Sequence, residues 1–279
     1  MTTEAATHPE IARAFALGSL PSAVRVLAVT ARPGQESADL GGPLYAFRRS
    51  GASLSLLCLT LGETVAQSSG FTRLEAERPW EVQLAASILG IRQVSVASYR
   101  DGRLHRYRTS ELTGRIQRAI RKYSADLMLV VAPETGDIGD AAVARATTAA
   151  ALQAGVPLAA RTRPGVAGAW MVDLGAEAEI ARAIQKSAAA AHATQSAALP
   201  EKISRLDQLG STETLRWLVS PARVPGQRVT PLGHAAAGRS WQGARNLRLG
   251  GPQWKRFLRA KATLTAQTPP SWRRPAGRW

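Results

Sequence analysis

From residue 24 onward, short runs of apolar and β-branched positions alternate with longer stretches of helical period. Residues 24–30 read as a buried strand, and a polar, Gly/Pro-containing turn leads into a helix predicted over about 38–50. Residues 54–61 form a second apolar run, followed by a polar loop over 62–70. Over 75–89, Val82, Ala85, Ala86 and Leu89 recur at the spacing of a helix that stops at Gly90. Residues 93–98 predict a third strand, 110–123 an amphipathic helix capped by Thr109 or Ser110, and 126–132 a fourth strand. An Ala-rich helix is predicted over 140–154, with Asp140 as a candidate N-cap and Gly155 as its stop. Residues 156–160 and 166–172 read as further strands, and 176–198 as one long Ala-rich helix. Strands alternating with helices predict a Rossmann-like α/β domain, its mostly parallel sheet covered by helices on both faces.

Composition divides the chain into three parts. Residues 1–23 carry a short helical pattern over 11–17 and a turn at Leu20-Pro21-Ser22, residues 24–218 hold the alternating pattern, and 219–279 form an irregular basic extension. The net charge of +16 is concentrated at the C-terminal end. No Asp or Glu follows Glu213 whereas 13 Lys or Arg do, so the preceding part carries 23 basic and 20 acidic residues. Four of the seven tryptophans (Trp241, Trp254, Trp272, Trp279) fall in that extension, where a helix is predicted over 252–266 and a solvated tail over 267–279. Cations interleaved with Trp suit nucleic acid, an anionic membrane surface or an acidic partner; equally, the tryptophans pack on the chain's own domain and leave the arginines in solvent. No run of 18 apolar residues is present, and residues 1–18 lack the basic start and apolar middle of a signal peptide, so a cytoplasmic protein is expected. The single Cys58 lies within an apolar run and reads as a core thiol.

The end of the first strand carries the chemistry of interest. Ala31-Arg32-Pro33-Gly34-Gln35-Glu36, followed by Gly41-Gly42, resembles the A-H-P-D-D-E and G-G opening of the PIG-L/LmbE family of zinc-dependent N-acetylglucosaminyl de-N-acetylases. Further segments are similar in the same order: Arg78-Pro79-Trp80-Glu81 with Ala85-Ala86 and Leu89-Gly90; Tyr99-Arg100-Asp101-Gly102-Arg103-Leu104; Gly136-Asp137-Ile138-Gly139-Asp140 against G-H-P-D-H; and Val172-Asp173-Leu174 with Lys186, Ala189 and His192-Ala193-Thr194-Gln195. The resemblance covers roughly residues 24–217. It implies the family's fold and, as ligands of zinc, the positions filled here by Arg32, Gln35 and Asp140. The base position is filled by Gly34, and Asp137 stands where the family has the His that handles the substrate carbonyl.

A catalytic zinc takes three protein ligands, commonly imidazoles, and works with a nearby base that accepts the proton of its water. Arg32 puts a permanent cation at the first ligand position and Gly34 removes the base. No cofactor and no catalytic residue are therefore expected, and the chain reads as a sugar-ligand-binding or regulatory pseudoenzyme. The alternatives are an active metal-dependent deacetylase on GlcNAc-type substrates with a rebuilt carboxylate site, its metal (zinc, magnesium or manganese) held by Glu36, Asp137 and Asp140, and a nucleic-acid-binding protein acting through residues 219–279. Arg32 facing Asp137 and Asp140 makes either an ion pair or a set of solvated loop residues. Arg32, Arg78, Asp101, Asp137 and His192 are the candidate contacts for a sugar or sugar phosphate, with Gln195 beside them. Glu81 reads as an exposed i, i+3 partner of Arg78.

Overall fold

The computed structural model describes residues 20–63 and 71–221; the expectations for residues 1–19, for the loop 64–70 and for the basic extension beyond residue 221 lie outside them. Within this range the elements run β1 (Arg25–Thr30), α1 (Gln35–Ala38), α2 (Gly41–Arg49), β2 (Ser53–Thr60), α3 (Phe71–Leu89), β3 (Ile91–Tyr99), α4 (Thr109–Tyr123) and β4 (Leu127–Val131). They continue as α5 (Ile138–Ala154), β5 (Leu158–Arg161), β6 (Ala169–Asp173), α6 (Ala178–Ala190), α7 (Leu199–Asp207) and β7 (Thr212–Val219).

The described strands form one sheet in the order β3-β2-β1-β4-β5-β7-β6. Pairing is parallel from β3 through β5, and β7 runs antiparallel between β5 and β6. The central strands are near-continuous apolar runs because helices cover both of their faces. Alternate residues of β1 feed opposite cores, since successive side chains in a strand point to opposite sides. Leu27 and Val29 pack with Leu112, Ile116 and Val143 of α4 and α5. Val26 and Ala28 pack with Leu44, Phe47, Val82 and Leu89 of α2 and α3. Cys58 is fully buried, and burial pushes its thiol up to about 12, which leaves it an inert core residue.

Three local expectations are corrected. Asp137, not Asp140, caps α5: its side chain accepts from the Gly139 and Asp140 amides. The N-cap of α4 is Arg108, in extended conformation and without a side-chain bond. The single long helix over 176–198 is instead α6, followed by a 3-10 segment kinked at Gln195, with α7 after it. The sequence reading also lacked β7, whose Glu213 is buried against Arg182 of α6. Gly42 is required by that pair, because a Cβ there would lie 2.6 Å from Arg182 Nη1.

Chain order places the site. The chain leaves β1 toward β2 and β3 on one side and returns through β4 to β5 on the other, so the segments after β1 and β4 diverge and leave a crevice between them, the general ligand position in open α/β sheets.

Candidate functional site

The segment after β1 is held in place by its own side chains. Gln35 Oε1 accepts from the amides of Ala31 (2.9 Å) and Arg32 (3.2 Å), and Gly34 takes the left-handed conformation (φ 91°) that opens α1. This folding brings together the residues at the three positions that the resemblance assigns to zinc. Gln35 Nε2 donates to Asp140 Oδ1 at 2.8 Å, and Arg32 Nη2 stands 3.8 Å from the same oxygen. Arg32 Nη2 also donates to Asp137 Oδ2 in a close ion pair. Arg32 is therefore paired and not freely solvated.

The electrostatics follow from these contacts. Burial alone would lower the Arg32 guanidinium, but its hydrogen bond to Asp137 and the charges of Asp137, Asp140 and Asp101 hold it above its ordinary value. Burial likewise opposes ionisation of Asp137, yet the bond from Arg32 and the α5 amides hold its carboxyl below the usual range. Asp140 is pushed up by burial and by the neighbouring Asp137 charge, against the bond from Gln35.

Glu36 lies behind this cluster with no exposed surface. Its Oε1 meets His192 Nε2 at 2.5 Å and accepts from Ser37 Oγ at 2.7 Å, while Oε2 accepts from the Gly34 amide at 2.9 Å. Burial would raise this carboxyl, but the charge and hydrogen bond of His192 hold it below its ordinary value. Glu36 and His192 thus brace the segment after β1 from within. Arg78 is also buried and donates to the carbonyls of Leu61 and Gly62. Glu81 is buried too, and accepts from the Thr194 amide (2.7 Å) and hydroxyl (2.6 Å), so the expected exposed pair with Arg78 is replaced by a tie between α3 and the segment after α6. Asp101 is buried in the loop after β3, where its amide donates to Glu63 Oε1 at 2.8 Å.

A cavity of about 400 Å³ opens over the cluster. Arg32, Gly34, Gln35, Asp137, Asp140 and Gln195 line it; Arg78, Asp101 and His192 do not. Its wall also includes residues that the sequence reading did not single out: Asp39, Arg161, Arg163, Lys202 and Arg205. Lys202 Nζ sits over the base position, 3.3 Å from where a Cβ on Gly34 would stand, and donates to Gln195 Oε1. Burial lowers the Lys202 ammonium, and the like charges of Arg32 and Arg78 add to that, while Glu36 and Asp39 oppose it.

The donors present do not fit a zinc ion. The positions that would ligate it carry a guanidinium, a carboxamide and a carboxylate, and the carboxylate is already engaged by Gln35. Both oxygens of Glu36 are used internally. Among the described residues no group of three or more His, Cys, Asp or Glu side chains is arranged to hold a metal.

Known proteins support the fold and the family resemblance. The PIG-L family pattern, described as GlcNAc-PI de-N-acetylase, matches residues 27–152. A probable N-acetyl-α-D-glucosaminyl L-malate deacetylase 2 of Bacillus anthracis is 29% identical over 208 residues, covering 69% of this chain and 91% of that protein. The solved N,N'-diacetylchitobiose deacetylase from Pyrococcus horikoshii superposes with a TM-score of 0.55 at 17% identity, over 71% of this chain and 85% of that one. The solved GalB, a 4-carboxy-2-hydroxymuconate hydratase from Pseudomonas putida KT2440, gives a TM-score of 0.57 at 16% identity, over 74% and 98% of the two chains. A deacetylase and a hydratase on one fold show that architecture alone does not name the reaction. Among the described residues no helix is long and apolar enough to cross a membrane.

Proposed function

We propose that this chain, whose α/β domain is of PIG-L/LmbE type, has given up zinc-dependent deacetylation and uses the remaining pocket to bind a sugar-type ligand without turning it over. One observation carries the reading: of the residues at the three ligand positions, Gln35 and Arg32 both approach Asp140 Oδ1, and Arg32 is itself ion-paired with Asp137. A guanidinium there meets the two carboxylates as a metal would, holds the loops together, and repels a divalent ion. Hydrolysis of an acetamide needs a Lewis acid on the carbonyl and a base on the attacking water. Gly34 supplies no base, and Lys202 brings a second positive charge over its position. The kinship with sugar deacetylases supports a sugar-type ligand for the pocket.

The test is metal content and acetate release measured together on protein purified without chelator, using GlcNAc-type substrates, followed by calorimetric titration with GlcNAc. The expected result is substoichiometric metal, background acetate release, and a saturable heat of binding. Stoichiometric metal with acetate release above background would overturn the reading and establish a working deacetylase, the alternative that the Bacillus anthracis relative favours.

A further inference from the structure

The charge on Arg32 is balanced by Asp137 and Asp140, whereas the other cations of the same cavity are poorly matched. Among the described residues Lys202 donates only to the neutral amide of Gln195. Arg163 donates to the backbone carbonyl of Glu134 at 3.1 Å, and Arg205 forms no ion pair among the described residues. Arg161 lies 3.6 Å from Glu213, but that carboxylate is already engaged more closely by Arg182. The one remaining acid on the wall is Asp39, which makes no ion pair with any of them among the described residues and whose carboxyl burial pushes up, against the charges of Arg161, Arg205, Arg32 and Lys202. Of these cations Arg161 and Lys202 are half-buried, and Arg163 and Arg205 are exposed. Cations gathered with too few acids repel one another, and an anion in their midst relieves that repulsion. Guanidinium groups in particular hold phosphate and carboxylate through paired N–H bonds. The cavity, at about 400 Å³, has room for a monosaccharide carrying such a group.

The geometry points to an anionic ligand, a phosphate monoester or carboxylate on a sugar-sized polyol, with its charged group held by Arg161, Arg163, Lys202 and Arg205. This rests on the reading of the cavity as a sugar-type pocket, and it specifies the chemistry that the pocket selects.

The experiment is calorimetric titration of the full chain at low salt with GlcNAc, GlcNAc 1-phosphate, glucuronate and inorganic phosphate. Two double variants are compared: Arg163→Ala/Arg205→Ala at the cavity and Arg118→Ala/Arg121→Ala on the exposed face of α4, which removes the same charge elsewhere. An anionic sugar is expected to bind at least about tenfold more tightly than GlcNAc, with the cavity variant losing about tenfold and the α4 variant close to wild type. The α4 control separates the cavity from non-specific attraction to the basic chain. Phosphate ester over glucuronate identifies a phosphate, and the reverse a carboxylate. Equal affinity for GlcNAc and its phosphate, equal losses in the two variants, or no binding of any anionic probe would each overturn the inference. The two readings separate: GlcNAc bound as tightly as its phosphate preserves the sugar pocket and removes the anion site. Inorganic phosphate bound through Arg163 and Arg205 without any response to sugars preserves the anion site and removes the sugar.

Discussion

At the scale of single residues, the crevice turns on charges that can be removed one at a time. Arg32 and Asp137 are each about a third exposed, so the pair itself contributes only about 1 kcal/mol or less. Arg32→Met is therefore expected to lower the melting temperature only slightly, while raising the Asp137 carboxyl toward its ordinary range, measured by carboxylate NMR titration. Gly34 supplies a sharper contrast. At φ 91° a Cβ is strained by about 1 kcal/mol, so Gly34→Ala should destabilise by about that amount. Gly34→Asp should cost less, because its carboxylate would arise beside the Lys202 ammonium; denaturant unfolding of the two variants checks the order. The Arg32 pairing was one of two readings left open by the chain, since the resemblance sets Arg32 and Asp137 on facing segments but does not decide between an ion pair and solvated side chains. The cap of α5 was misplaced by three residues, since Asp137 and Asp140 are equally good capping types and only the backbone shows which one precedes the first turn. His192 was read as a pocket residue, but the sequence does not reveal that Glu36 occupies its Nε2.

At the scale of elements, buried polar ties hold the helices to the sheet, and they set the response to acid. Glu36 is fully buried and held below its ordinary value of 4.5. Such a carboxylate contributes stability that is fully present above that value and is lost as pH falls through it toward the depressed folded-state value. The wild-type protein should therefore lose stability as pH drops below about 4.5, and Glu36→Gln should flatten that slope while costing about 3 kcal/mol at neutral pH, because the buried His192 loses its carboxylate. Chemical denaturation across a pH series measures both effects. Glu213 on β7 is a second such tie, made through α6: it meets Arg182, which also donates to the Gly210 carbonyl at 2.9 Å and to Gln185 at 2.8 Å. Glu213→Gln should cost about 3 kcal/mol or more by leaving a buried guanidinium without its carboxylate. Little in the chain signals β7, because Thr212–Val219 mixes charged and apolar residues and borders the change of composition that ends the regular pattern. The parallel core strands were legible because full burial leaves an uninterrupted apolar run, which an antiparallel strand near the sheet edge does not need.

At the scale of the whole molecule, the question is whether the crevice lost its chemistry while keeping its frame. The side chains of Arg32, Gln35 and Asp140 are contributed by two segments about 105 residues apart in sequence, yet they meet within hydrogen-bond or ion-pair distance because the β1 and β4 ends are adjacent in the sheet. That adjacency rests on the two apolar cores and on the Glu36–His192 brace, to which Gln35 and the Arg32–Asp137 pair add ties between the two segments. The cation wall escaped the sequence reading for a related reason: Arg161, Lys202 and Arg205 belong to β5 and α7, where each alone is an ordinary surface charge, and only the packing of α7 gathers them. If the frame is intact, restoring the family's residue types should restore the ion. The quadruple variant Arg32→His, Gly34→Asp, Gln35→Asp, Asp140→His removes one cation and offers two imidazoles, one ligating carboxylate and a base. It is expected to raise zinc from well below one to near one per chain by elemental analysis after dialysis, with zinc raising the melting temperature of the variant and leaving that of the wild type unchanged. A variant that folds, as judged by its circular dichroism, and still takes up no zinc would show that the backbone of the crevice has moved along with its residues. The close approach of the three positions on Asp140 argues for the opposite outcome.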